Sequence, residues 1–135
     1  SNMFANGSFY RRISPTSFYP MMANAASGER AASMMSRWLL NASRFCVSPT
    51  GDFEGNNASW CYWGLPSISA ADAAFPRLGY WRGFVWGPMS LLTYWGLSHP
   101  QYAHVPLVAT ARKALCKQHL LERATFEAKD QTAKN

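Results

Sequence analysis

Residues Gly79–Leu97 read G-Y-W-R-G-F-V-W-G-P-M-S-L-L-T-Y-W-G-L, and the fold prediction starts from this segment. Its first half places aromatic side chains and one arginine between glycines. Its second half enters a helix at Pro88, because a proline at the first helical position loses no hydrogen bond. From Pro88 to Leu97 the apolar side chains point in every direction around a helical wheel. We therefore expect this helix to be buried on all sides, with Trp95 in the core.

An earlier pair of segments also has helical character. The segment Thr16–Ala26 is small and apolar, and it follows an N-cap and first-turn signal at Ser14 and Pro15. Pro20 means that this helix either kinks or starts there. The segment Glu29–Leu40 is amphipathic, with one predicted buried stripe at helical spacing: Ala31, Met34, Met35 and Trp38.

The last predicted helix covers Tyr102–Ala124 and follows a turn at Ser98-His99-Pro100. It is one-sided, and its predicted stripe consists of Leu107, Val108, Ala111, Ala114, Leu115 and Leu121. Between the helical pairs, Asn41–Leu78 shows no helical pattern and is rich in Gly, Pro, Asn and Asp. Loops of this length in compact domains are usually functional or disordered, and the tryptophans near Trp60-Cys61-Tyr62-Trp63 argue against disorder.

A more apolar helix is thus twice followed by an amphipathic one, which indicates an all-α fold of helical hairpins. The first helix of each hairpin would line an inner ring, and the second an outer ring, with the long irregular loop between the two hairpins. Two hairpins cannot close a ring, so we expect either a piece of a larger helical toroid or an oligomer. The open apolar faces would be covered by the rest of the ring or by self-association.

Length and composition favour one domain. Residues 3–128 are assigned to the partial barrel, 1–2 to an expression scar and 129–135 to a polar tail. No apolar run reaches the roughly 18 residues that span a bilayer, so we expect a soluble protein without a membrane partner. The chain has six tryptophans and a net charge of +6.

Metal and cofactor chemistry is not expected. Cys46, Cys61 and Cys116 lack a C-x-x-C spacing, and the three histidines offer no ligand spacing with them. Three glycosylation sequons leave the compartment open. The basic excess, including Arg11-Arg12, is more often a solvated face than a nucleic-acid surface, so no nucleic-acid partner is expected.

Three blocks resemble, in order, the C-terminal part of the (α/α)6-barrel glycosidases. They are Tyr10-Arg11-Arg12-Ile13-Ser14-Pro15-Thr16-Ser17-Phe18-Tyr19-Pro20, then Leu65-Pro66-Ser67-Ile68, then Tyr80-Trp81-Arg82-Gly83-x-x-Trp86-Gly87-Pro88-Met89. The resemblance is greatest to glycoside hydrolase family 63 and its bacterial mannosylglycerate hydrolase-like relatives. It extends from Phe9 to about Leu121, and it implies that the helical hairpins form part of an (α/α)6 toroid.

The resemblance implies that Tyr80, Trp81 and Trp86 line a sugar pocket, with Arg82 bonding sugar hydroxyls or a neighbouring carboxylate. Tryptophans beside a buried helix otherwise belong more often to a core. The chain departs from its relatives at Ser90, where they commonly have asparagine, and in a longer insertion over Ser48–Ser59.

The resemblance also implies inverting hydrolysis by two carboxyl groups, but neither family motif that carries them is present. No catalytic residue is assigned, and Asp72 is singled out for a supporting role only. We therefore predict a glycoside hydrolase fragment that binds carbohydrate and is inactive alone. The alternatives are a non-catalytic oligomerisation or interaction module and, third, a basic nucleic-acid binder using Arg11 and Arg12.

Overall fold

The computed structural model describes residues 3–9, 12–45, 65–77 and 80–117, and this part of the chain is helical without strands. Two α-helices are Gly28–Met34 (α1) and Gly87–Leu97 (α2), and residues 106–117 form a third (α3). A π-helical turn, Met35–Leu39, continues α1. The described residues also contain three 3₁₀ helices: Pro15–Met21, Phe75–Arg77 and Pro100–Tyr102. The all-α prediction is confirmed.

The first helical segment is shorter than predicted. Ser14 is extended and Pro15 begins the helix, as expected, but the helix is of the 3₁₀ type and ends at Met21. Asn24 then takes a left-handed φ of 57°, which ends any continuation towards Ala26. Phe18 and Met21 enter the core, whereas Tyr19 stays half-buried, and this burial raises the pKa of its phenol.

The second segment shows how a local change of helix type alters the buried face. The Ser27 hydroxyl caps α1 by accepting a hydrogen bond from the Arg30 amide at 3.3 Å. Ala31 and Met35 are buried as predicted. The π-turn, closed by the Leu40 amide on the Met35 carbonyl at 2.9 Å, then places Leu39 in the core and leaves Trp38 half-buried.

Helix α2 forms where predicted but is not buried on all sides. Its buried face consists of Ser90, Thr93, Gly96 and Leu97, and this face packs against the 3₁₀ helix Pro15–Met21. A Cβ atom at Gly96 would lie 3.2 Å from the Met21 Cβ, so the absence of a side chain at Gly96 allows the two helices to approach closely. Leu91 and Trp95 point the other way and are 48% and 56% exposed. The placement of Trp95 in the core was therefore wrong.

Helix α3 begins at Pro106, after the 3₁₀ helix Pro100–Tyr102, rather than at Tyr102. Its buried residues are those predicted within its described length, Val108, Ala111, Ala114 and Leu115. Leu107, which was also predicted to be buried, is exposed. A helical wheel gives the direction of a side chain but does not show whether another element packs against it there. Leu121 lies outside the described residues.

Beside a small cluster of Ile68, Ala74 and Phe75, a large core cluster contains residues from every described helix except Phe75–Arg77. It includes Phe18, Met35, Leu97 and Val108, and the Phe18 and Phe45 rings meet edge-on at 5.5 Å. The buried Tyr102 hydroxyl donates to the Ala26 carbonyl at 2.9 Å, which links the 3₁₀ helix Pro100–Tyr102 to the segment just before α1. The described parts of the predicted long loop, 41–45 and 65–77, contain one short 3₁₀ helix. Trp60-Cys61-Tyr62-Trp63 lies outside them.

Among the described residues, none of the helices combines the length and apolarity that a bilayer crossing requires.

Candidate functional site

A groove of about 590 Å³ opens between the 3₁₀ helix Pro15–Met21 and the loop that precedes α2. We call it the aromatic groove. Two rings, Tyr80 and Trp81, and two guanidinium groups, Arg12 and Arg82, line it. Its remaining lining is four hydroxyl side chains and three apolar ones: Ser14, Thr16, Ser17, Ser67, Pro20, Ile68 and Met89.

Three rings form a compact cluster at one side of the aromatic groove. The indoles of Trp81 and Trp86 are stacked, with centroids 4.7 Å apart and planes inclined by 13°. Tyr80 meets both indoles nearly edge-on, at 5.4 Å from Trp81 and 4.8 Å from Trp86. The Trp86 Nε1–H also donates to the Tyr80 carbonyl at 2.9 Å. Stacking and hydrogen bonding therefore hold all three rings in one arrangement.

The four site residues predicted from the sequence lie close together, but only three of them line the groove. Tyr80, Trp81 and Arg82 line the aromatic groove, and the Tyr80 and Trp81 side chains are 64% and 51% exposed. Trp86 is half-buried and stacks against Trp81 without appearing in the groove lining. The structure thus shows an exposed indole supported by a second, more buried one.

The loop that carries these rings is fixed by the segment Leu65-Pro66-Ser67-Ile68. The Gly83 amide donates to the Ser67 hydroxyl at 2.9 Å, and the Ser67 amide donates to the Phe84 carbonyl at 2.9 Å. An antiparallel bridge joins Pro66 to Val85. Two of the sequence blocks quoted above are therefore in direct contact, which their separation along the chain did not indicate.

Arg12 is a groove residue that sequence analysis treated only as part of a basic pair. Its Nε lies 3.4 Å from Oδ2 of Asp72, whose side chain is 11% exposed. The other carboxylate oxygen, Oδ1, accepts a hydrogen bond from the Ala74 amide at 2.8 Å. Asp72 is thus not itself part of the groove lining but pairs with Arg12, which is; its supporting role in a sugar site stays a prediction. The signal for Arg12 was its position inside the first sequence block.

One comparison with known proteins gives a match. A family model described as the mannosylglycerate hydrolase MGH1-like glycoside hydrolase domain matches residues 2–130. The chain belongs to this family. The family assignment confirms the resemblance to glycosidases seen in the three sequence blocks. Comparison with curated proteins and with solved structures gives no significant match.

Glycoside hydrolysis generally depends on carboxyl groups, so the positions of the Asp and Glu residues matter most in a domain of this family. Within the described part of the chain, the lining of the aromatic groove contains no carboxylate. Glu29 lies in the first turn of α1, and Asp72 is paired with Arg12. The five other acids, including Asp52 and Glu54, lie outside the described residues. The described ranges also contain no cluster of His, Cys, Asp and Glu that could hold a metal ion.

Proposed function

We propose that the aromatic groove binds the glycosyl unit of a glycoside, with Tyr80, Trp81 and Arg82 in contact with the sugar. The observation that carries this proposal is the exposed Trp81 indole, supported by Trp86, at the wall of a groove with hydroxyl and guanidinium groups. A pyranose ring has an apolar C–H face that packs on an indole. Its hydroxyl groups need donors and acceptors nearby, and the groove provides both.

The side chains divide the work of sugar binding by their chemistry. The Trp81 indole supplies the flat apolar surface, and Trp86 keeps it in place. The Arg82 guanidinium donates hydrogen bonds and accepts none, whereas the Tyr80 phenol does both. The family description makes a mannosyl substrate such as mannosylglycerate the first ligand to test.

We further propose that this chain binds the sugar without hydrolysing it. Inverting hydrolysis needs two carboxyl groups roughly 6.5 to 9.5 Å apart, one as acid and the other as base. The described groove lining supplies none. The acid and base would then come from other parts of the barrel, and this chain would contribute binding energy and orientation.

The test is a titration of the full chain with mannosylglycerate, in which calorimetry and tryptophan fluorescence measure binding. We expect saturable binding without release of mannose. Trp81→Ala should weaken binding about tenfold, which corresponds to about 1.4 kcal/mol of lost stacking and burial. Trp95→Ala is the matched control, because Trp95 is similarly exposed but lies on α2 outside the groove lining. Equal losses in both variants, or turnover by the chain alone, would contradict the proposal.

A second candidate function, an interaction module, is favoured by the outward face of α2. Leu91 and Trp95 are large, apolar and exposed on this face. Beside it, a depression of about 340 Å³ is lined by residues that include Leu91, Tyr94 and Leu115. We propose that further helices of the same toroid cover this face, since neighbouring hairpins in a ring pack side by side. Exposed apolar surface of this kind marks an interface.

A further inference from the structure

Ser67 has a place in the site that neither the proposed substrate contacts nor the family match explains. Its side chain borders the aromatic groove, yet the residue is only 2% exposed. Buried serines are uncommon and are normally held by hydrogen bonds. Both polar contacts of Ser67 in the described structure go to the ring-bearing loop: its hydroxyl accepts from Gly83, and its amide donates to Phe84.

The two contacts fasten the loop at its most unusual backbone conformation. Gly83 has a φ of 118°, a region that residues with a side chain rarely adopt. Its amide is buried and has the Ser67 hydroxyl as its partner. Gly83 and Phe84 stand between Trp81 and Trp86 in the chain, so a change at this turn alters the relative position of the two indoles. The turn thus lies within the short segment that joins the two stacked indoles, whose centroids are 4.7 Å apart.

We propose that Ser67 is a positioning residue for the sugar groove, which holds the Gly83 turn so that Trp86 supports Trp81. This inference rests on the proposed function for its connection to sugar binding. Its structural part concerns the ligand-free chain. Without the hydroxyl, the Gly83 amide loses its acceptor, and the turn is free to adopt other conformations. The stack would then lose its single arrangement, and the indole surface offered to a sugar would no longer be preorganised.

The chain offers a close control two residues away. Ser69 is 3% exposed in the same segment, but its hydroxyl accepts from the Ala71 amide at 3.3 Å and it does not line the aromatic groove. Ser69→Ala therefore removes an equally buried hydroxyl without touching the ring-bearing loop. Ser67→Thr keeps the hydroxyl and serves as the conservative rescue.

The experiment follows Gly83 and the two indoles by NMR in the ligand-free full chain. In Ser67→Ala we expect hydrogen exchange at the Gly83 amide to accelerate at least about tenfold, because the hydrogen bond is lost. The indole Nε1–H resonances of Trp81 and Trp86 should shift together. Ser69→Ala should change neither, and Ser67→Thr should restore both.

The same variants are then titrated with mannosylglycerate, and Ser67→Ala should weaken binding about tenfold with Ser69→Ala unchanged. If Gly83 exchange and the indole resonances stay unchanged in folded Ser67→Ala, the positioning role is wrong. Loss of the helical circular dichroism in that variant would also overturn it, since the hydroxyl would then serve folding in general. If the loop responds as expected but the native chain does not bind mannosylglycerate, the positioning of the rings stands and the proposed function fails.

Discussion

At the residue scale, the pairing of Trp81 with Trp86 explains how a large indole stays ordered while half exposed. A tryptophan side chain alone on a surface can adopt several rotamers. Here the stacked neighbour covers one of its faces, and Tyr80 contacts both rings from the side. The Trp86 Nε1–H bond to the Tyr80 carbonyl closes the cluster. The three rings therefore have one arrangement in the ligand-free chain, and under the proposed function this preorganisation would lower the entropy cost of binding a sugar.

A residue-scale prediction concerns Asp72, which makes one ion pair and one turn hydrogen bond through different oxygens. Asp72→Ala removes both and should lower the free energy of unfolding by about 1–2 kcal/mol. Asp72→Asn keeps an oxygen acceptor for the Ala74 amide, so its loss should stay below about 1 kcal/mol. Urea denaturation measures both losses.

The salt dependence separates the two contributions of Asp72. The loss in Asp72→Asn should shrink in high salt, because Arg12 is partly exposed and its attraction to the carboxylate is screened. The turn contribution should not change. Equal destabilisation by both variants at every salt concentration would show that the turn hydrogen bond contributes nothing measurable.

The sequence predicted which loop carries the groove aromatics but not all of the groove. Arg12 and Asp72 meet across a long stretch of chain, and no local spacing signals such a pair. The same holds for Ser67 and Gly83. Nor could the motif show that Trp86 lies behind Trp81. The contact of Tyr80, Trp81, Arg82 or Trp86 with a sugar stays a prediction.

At the element scale, α2 shows what an apolar helical wheel leaves undetermined. Its bounds, Gly87–Leu97, agree with the prediction to within one residue, because Pro88 signals the start of the helix. Its orientation was wrong, since composition alone suggested burial all round. The face that packs against the 3₁₀ helix Pro15–Met21 contains the small residues Ser90, Thr93 and Gly96. A prediction based on hydrophobicity alone does not place such residues in a buried contact. The large residues were left on the outer face.

An element-scale prediction tests this close approach at Gly96. Gly96→Ala places a Cβ 3.2 Å from the Met21 Cβ and 3.4 Å from the Met22 backbone nitrogen. The alanine gains about 1 kcal/mol of helix propensity, but overpacking costs about 1–3 kcal/mol. We expect a net destabilisation of about 1 kcal/mol in chemical denaturation.

Gly87→Ala is the matched control for Gly96→Ala, because apart from its chain neighbours and the backbone of its own helix nothing lies within 4 Å of the added Cβ. It should be neutral or slightly stabilising. If Gly96→Ala stabilises the chain as much as Gly87→Ala does, the contact between α2 and the first 3₁₀ helix is looser than the structure shows.

At the scale of the whole molecule, most buried apolar side chains of the described residues form one large cluster beside a small one, and apolar surface is still exposed on α2. Membership of a glycoside hydrolase family accounts for both facts if α2 belongs to a ring whose other helices contact its outer face. The sequence indicated that apolar surface would need a partner, because the helix beginning at Pro88 is too apolar for a solvent-exposed position. It could not indicate which side would be open, because that depends on the packing partner of the small residues.

The final prediction tests whether Leu91 and Trp95 form an interaction face. A double change to lysine, Leu91→Lys with Trp95→Lys, should lower the fluorescence of a bound hydrophobic dye severalfold and leave helical circular dichroism unchanged, because neither side chain belongs to the buried core. Leu107→Lys, an exposed leucine on α3, is the control and should change dye binding little. Unchanged dye fluorescence in the double variant would show that this face is not the exposed apolar site. Sedimentation then shows what covers this face. If the native chain is a dimer and the double variant a monomer, a second copy of the chain covers it. If the native chain is a monomer that binds dye, the face is available to the other helices of the ring.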